Sequence, residues 1–282
     1  MAYQFTLKDP SVKAALRRIA REQIDTSLAL LDAGAPLSPE ALHELRKTIK
    51  KLRALLRLVR PVFPDYAREN TALRDAGRLV AGLRERDVLL ALFDRHAGAS
   101  APPDGLRQAL ADSLPDTSRA PEALADHAAA LRALRDRARH WRLKAKGFDA
   151  LEPGLARSHA RARSALKAYR KAPGPVALHT LRKELKTQWY YTRLLAPIWP
   201  PMMEARAAQL DRIGEGLGDA RDNTLLADRL SGLPGGASLT DRARDEAGRL
   251  DKQAVTDARR ILAEPPAALC GCWRAWWGLR HD

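Results

Sequence analysis

Residues 43–64 read HELRKTIKKLRALLRLVRPVFP, and residues 179–200 read HTLRKELKTQWYYTRLLAPIWP. A shift of 136 positions, from His43 to His179, lays one stretch on the other. Arg46 then meets Arg182, Lys47 meets Lys183, Lys50 meets Lys186 and Arg57 meets Arg193. Leu42, Leu45 and Ile49 meet Leu178, Leu181 and Leu185, and the prolines at 61 and 64 meet those at 197 and 200. Each stretch opens alike: Ser38-Pro39 and Gly174-Pro175 place proline at a first helical position behind a residue suited to cap it. An internal repeat of this kind governs the reading of the whole chain.

On a helical wheel, His43, Arg46, Lys47, Lys50, Arg53 and Arg57 share one side, flanked by Lys51. Leu42, Leu45, Ile49, Leu52, Leu56 and Val59 occupy the other. The second copy divides the same way: His179, Arg182, Lys183, Lys186, Tyr190 and Arg193 lie together, with Trp189 where the first copy has Arg53. Crowding cations along one helix face costs a few tenths of a kcal/mol per adjacent pair. A single basic face is most simply a solvated one. Retention of the same cations in both copies argues otherwise, because unconstrained surface positions exchange Lys freely for Glu or Gln. Arg46 to Arg57 spans about 16 Å of helix, a row that suits an extended polymer of phosphates better than one small anion. A polyanion beside His43 and His179 would raise their pKa and favour the doubly donating imidazolium.

The similarity continues downstream, where GRLVAGLRERDVLLAL resembles DRIGEGLGDARDNTLLA and Arg86-Asp87 corresponds to Arg221-Asp222. Apolar periodicity predicts long helices at about 10–33, 38–60, 65–83, 120–142, 153–172, 175–196, 201–217 and 238–263, with shorter ones at about 87–97, 222–231 and 265–279. Breaks carry Gly, Pro and Ser, and no run alternates as a strand does. The expected fold is all-α and internally duplicated, with two four-helix bundles contributed by halves 1–145 and 146–282.

Composition bounds the function. The 282 residues are 45% hydrophobic and 29% charged, with a net charge of +15, which suits a folded chain with an anionic partner. No apolar stretch approaches the length of a membrane span, so no membrane insertion is expected. The N-terminus lacks the pattern of a secretory signal, which leads us to expect a cytoplasmic protein. Cys270 and Cys272 match no zinc or redox motif. There is no phosphate-binding GxxxxGK[ST] loop, and HELRK lacks the second histidine of HExxH. Asp75, Asp87, Asp211 and Asp222 recur only loosely between halves; Asp87 and Asp222 read as N-caps of the short helices after them. Neither catalytic residues, metal ligands nor a cofactor are therefore expected. Trp273, Trp276 and Trp277 share a helix face and read as a buried stripe, and Trp141 and Trp199 read as packing residues.

The LHxLRKxxK pattern in each half, with its downstream Arg-Asp element and the C-terminal AEPPAAL and WRAWW segments, resembles the conserved histidine α-helical domain family, CHAD. The resemblance covers essentially the whole chain as a single domain. It implies two four-helix bundles around a basic central cavity, binding of inorganic polyphosphate and association with polyphosphate granules. The implied binding residues are His43, Arg46, Lys47, Lys50, Arg53 and Arg57, with His179, Arg182, Lys183, Lys186, Tyr190 and Arg193. Arg17, Arg18, Arg21, Arg157, Arg161 and Arg163 form a second tier. A nucleic-acid binder is the alternative, and a metal-dependent phosphohydrolase is the less favoured third reading.

Overall fold

A computed structural model describes residues 3–34, 37–81, 85–98, 102–114 and 120–279. Among these the chain is helical, without strands: α1 Val12–Asp32, α2 Pro39–Leu58, α3 Tyr66–Leu79, α4 Glu85–Ala97, α5 Leu106–Asp112, α6 Ala120–Ala138, α7 Glu152–Lys171, α8 Pro175–Leu194, α9 Pro200–Leu230, α10 Ala237–Ile261 and α11 Pro266–Leu279. Helix α2 starts where its sequence says it should, with Ser38 Oγ accepting from the Ala41 N–H at 3.2 Å and proline in the first turn. Short 3₁₀ turns at Arg60–Val62 and Ala196–Ile198 follow α2 and α8 at the paired prolines.

Two four-helix groups result. Helices α1, α2, α3 and α6 pack on one another, as do α7, α8, α9 and α10. The apolar faces of α2 and α8 turn inward: Leu45, Leu52, Leu55, Leu181, Leu185 and Leu194 are fully buried. Helix α2 also lies against α7 and α8, so the groups share one continuous core. Burial of large aliphatic side chains at roughly 1.5–3 kcal/mol each supplies the driving force. The N-terminal segment ties the join. The Phe5 N–H donates to the Leu194 carbonyl at 2.8 Å, and the Tyr3 hydroxyl donates to that of Lys51 at 2.7 Å.

Two features depart from the sequence reading. Helix α9 runs unbroken for 31 residues, where helices at 201–217 and 222–231 with a break between them were expected. Asp222 is therefore an interior helical residue and not an N-cap. Helix α4 begins at Glu85, which likewise puts Asp87 inside its helix; the Asp87 side chain lies outside the described residues. The second feature is the short helix α5, which the sequence did not suggest. It and α4 form a separate apolar cluster with the far ends of α9 and α10, through Leu89, Phe93, Leu106, Leu110, Leu226, Leu230 and Leu239. His96 Nε2 meets Asn223 Oδ1 at 2.6 Å across this junction. Helices from the first half of the chain thus brace the second group.

The tryptophans divide. Trp141 and Trp273 are buried, Trp276 and Trp277 are half-buried against the core, and Trp199 is 44% exposed although it meets Trp276 edge-on at 4.8 Å. The stripe on α11 is buried along one edge only. His159 is a core residue, with Nδ1 3.3 Å from Gln188 Oε1 and Nε2 3.0 Å from the Glu264 carbonyl.

Close approach of backbones fixes the junction of the two groups. A Cβ added to Gly154 would sit 1.8 Å from the Leu58 carbonyl oxygen at the end of α2. Neither backbone has a flexible tip that could yield. Gly154→Ala should therefore destabilise the protein by about 2–3 kcal/mol, measured as a lower denaturant midpoint at unchanged slope. An unaltered midpoint would show that α7 and α2 are not held this tightly.

Candidate functional site

The two cationic helix faces meet. A cavity of about 680 Å³ is lined from α2 by His43, Lys47, Lys50, Arg53 and Arg57, and from α8 by His179, Arg182, Lys183, Lys186, Tyr190 and Arg193. Burial of the leucine faces leaves the opposite faces of both helices no place but this shared concavity. Of the twelve residues singled out from the sequence, all but Arg46 line it. Arg46 donates instead to the Ala81 carbonyl at 2.7 Å, just beyond the end of α3.

The second-tier arginines do other work. Arg17 donates twice to the Trp141 carbonyl, at 2.9 and 2.6 Å. Arg18 binds both oxygens of Asp9 at 2.7 Å and Glu22 at 3.0 Å. Arg161 pairs with the buried carboxylate of Glu184 at 2.8 Å. One Arg163 nitrogen lies 2.6 Å from the carbonyls of Leu262, Ala263 and Glu264, closing the C-terminal end of α10. Arg21 and Arg157 are exposed. None of the six lines the cavity. A wheel reports which side of a helix is basic, but it does not report which carbonyl or carboxylate waits opposite.

Electrostatics ties the two walls together. Partial burial, followed by the charges of Arg221, Lys183, Arg182 and Lys50, lowers the His179 pKa. Lys50 belongs to α2, so a residue of one repeat acts on the histidine of the other. Arg182 is lowered by burial, and its Nε is enclosed without a hydrogen-bond partner. Arg53 is lowered by burial and then by Arg57; its Nε reaches Asn70 Oδ1 at 3.3 Å. Trp189, the departure from the repeat, is held between cations, with Lys186 Nζ 4.6 Å and the Arg193 guanidinium carbon 4.8 Å from its ring centres. Tyr190 packs beside it at 4.9 Å, its hydroxyl pKa raised by burial.

A third wall was not anticipated. Asp211, Glu215, Asp219 and Asp222 of α9 also line the cavity. Asp211 accepts from Lys186 at 2.8 Å, and Asp222 accepts from Arg221 at 2.9 Å. Glycine allows α9 this close. A Cβ on Gly214 would lie 2.7 Å from Lys186 Cε, and one on Gly218 would lie 2.8 Å from an Arg182 guanidinium nitrogen. Read as an unbroken helix, DRIGEGLGDARD at 211–222 places Gly214, Gly218, Asp211, Glu215 and Asp222 within about 100° of the helical wheel. That spacing was the available signal. Among the described residues, no group of three or more His, Cys, Asp or Glu is arranged to hold a metal ion. No described helix is long and apolar enough to cross a membrane.

The model of the CHAD domain matches residues 18–231, which include both histidine helices and all of α9. The chain belongs to the CHAD family. No curated protein matches it. In this CHAD protein the match ends one residue past α9, so α10 and α11, which complete the second group and cover α7, lie beyond it.

The proximity of the repeats can be measured. His179 should titrate below the usual histidine range in the free protein. Lys50→Gln should raise that pKa by removing one of the cations that depress it, read from the imidazole proton shifts by NMR. Lys51→Gln, whose ammonium donates to Gln23 Oε1 at 2.8 Å outside the cavity, should change it far less. Equal effects from both substitutions would mean that α2 and α8 do not face each other here.

Proposed function

We propose that this CHAD protein binds inorganic polyphosphate in the cavity between α2 and α8, as a scaffold or granule-targeting protein without catalytic action. The observation that carries the reading is the convergence of two repeated cationic faces on one concavity. Membership of the CHAD family supports the same reading. Guanidinium groups grip phosphate oxygens with paired N–H donors, and ammonium groups add mobile point charge. Arg182, buried and short of a partner at Nε, is pre-placed to gain from an anion.

An unbranched phosphate chain suits these walls for a second reason. It presents charge at every unit and nothing else. Single-stranded nucleic acid also needs platforms for its bases. The two aromatic side chains lining the cavity, Trp189 and Tyr190, are 9% and 6% exposed, and the Trp189 ring is already occupied by Lys186 and Arg193.

Two experiments test the proposal. Labelled long-chain polyphosphate should bind with an affinity that falls steeply with salt, through counterion release of the kind known for nucleic acids. Lys50→Glu with Lys186→Glu should weaken binding at least about 100-fold, since each charge-assisted contact contributes about 1.5–3 kcal/mol, while the circular dichroism stays helical. Displacement of the label by RNA or duplex DNA at equal phosphate concentration would overturn the reading, and phosphate release on adding magnesium would replace it with an enzymatic one. The second experiment is a pH series. A bound polyanion raises the depressed His179 pKa, so binding takes up protons. Affinity should strengthen as pH falls from about 7.5 to about 5.5, and His179→Ala should flatten that slope.

A further inference from the structure

The cavity is not uniformly basic. Its α2 and α8 walls carry ten cationic or imidazole side chains, and its α9 wall carries four carboxylates. Those carboxylates do not serve the core. Glu215 and Asp219 are exposed, and Asp211 and Asp222 are half-buried with their side chains at the cavity. Although the Asp219 residue as a whole is exposed, desolvation of its carboxyl group and then the neighbouring Asp222 raise its pKa. A wall built only to neutralise the cations would pair each carboxylate with one. Asp211 does pair with Lys186 across the cavity, but Asp222 pairs with Arg221 of its own helix, which is absent from the cavity lining.

Resting on the polyphosphate reading, we infer that Asp211, Glu215, Asp219 and Asp222 are specificity-determining residues that confine the ligand to a single file of phosphates along α2 and α8. A lone chain can turn its charge towards those two walls and keep away from the third. A bulkier polyanion cannot. A sulfated polysaccharide carries anionic groups around its circumference, and a nucleic acid has acceptor-rich bases projecting from its phosphates. The polysaccharide must bring negative charge against the α9 carboxylates, and a nucleic acid, widened by its bases, brings phosphates and base acceptors there that its fewer base N–H donors do not fully offset. At about 4 Å, each like-charge contact weakens binding about fivefold even in bulk-water dielectric, and more in a partly enclosed space. Rejection of wrong partners by placed repulsion is a common route to specificity. The Lys186–Asp211 contact marks the border between the two surfaces. Gly214 and Gly218 set its width, because any side chain there would push Lys186 and Arg182 away from α9.

The test is a variant carrying Asp211→Asn, Glu215→Gln, Asp219→Asn and Asp222→Asn together. Its control neutralises four exposed carboxylates outside the cavity, Asp104→Asn, Asp126→Asn, Asp241→Asn and Asp245→Asn, for the same change in net charge. Dissociation constants for long-chain polyphosphate, heparin and single-stranded RNA are measured by fluorescence anisotropy at one fixed salt concentration, with helicity checked by circular dichroism. In the cavity variant, heparin and RNA should gain about tenfold or more, and polyphosphate should change by less than about threefold. The control should shift all three ligands alike. A cavity variant that gains equally for every ligand, or matches the control, overturns the inference and leaves polyphosphate binding standing. Loss of polyphosphate affinity in a folded cavity variant also overturns it, by making the carboxylates part of the binding surface. Should the fourfold variant not fold, Asp219→Asn with Glu215→Gln, both exposed, carries the same ratio test at a smaller expected change. A wild-type protein that fails to bind polyphosphate removes the functional reading itself, an outcome seen before any variant is compared.

Discussion

Two like-charged helix faces held against one cavity are the constraint on which this structure depends. Left alone, α2 and α8 would turn their cations apart. They stay together because each is amphipathic, and because the leucine stripes opposite the cations lie in a single core shared by both four-helix groups. Hydrophobic burial fixes the orientation, and electrostatic strain is accepted as a consequence. The strain is visible in lowered pKa values: those of His179 and Arg53 are depressed by burial first and neighbouring cations thereafter, and that of Arg182 by burial, which the charge of Asp222 partly offsets. On the proposed reading, a surface so arranged in advance would gain by meeting an anion.

The histidine helices were legible because two independent periodicities coincide in them. The 3.6-residue spacing separates Leu45, Ile49 and Leu52 from Lys47, Lys50 and Arg57, and the repeat shows which of those cations were kept. The all-helical class followed from the same spacing along the chain. Serine at position 38 and proline at position 39 marked the start of α2 within a residue.

What escaped the sequence has a physical cause in each case. Helix α9 was expected to stop at 217 and restart at 222 with Asp222 as a cap, across a gap that holds Gly218, a residue that weakens a helix by about 0.5–1 kcal/mol. Here Gly214 and Gly218 are helical because tertiary packing outweighs propensity: Lys186 and Arg182 occupy the volume their side chains would have filled. Once that helix was divided, the alignment of Asp211, Glu215 and Asp222 was lost with it. Arg17, Arg18 and Arg163 were misjudged for a different reason. Their partners are the Trp141 carbonyl, Asp9 and the carbonyls after α10, groups distant in sequence, and helical position alone does not distinguish a cation seeking a ligand from one capping a helix. The packing of α4 and α5 on α9 and α10 was equally hidden, because it joins segments more than a hundred residues apart.

The repeats therefore contribute unequally to one site. The two cationic faces match in sequence, and the parts that differ between the halves supply what a symmetrical pair could not. In the second half α9 is continuous, thinned by glycine and acidic; the corresponding part of the first half is divided between α3 and α4. Trp189 in place of a second Arg53 follows the same logic, since it trades one charge for a flat surface that fixes Lys186 and Arg193. A cavity with two identical basic walls and nothing opposite would attract any polyanion. On the proposed reading, carboxylates set across from the cations would lower the total attraction but make it depend on the shape of the ligand, and such dependence separates recognition from charge neutralisation.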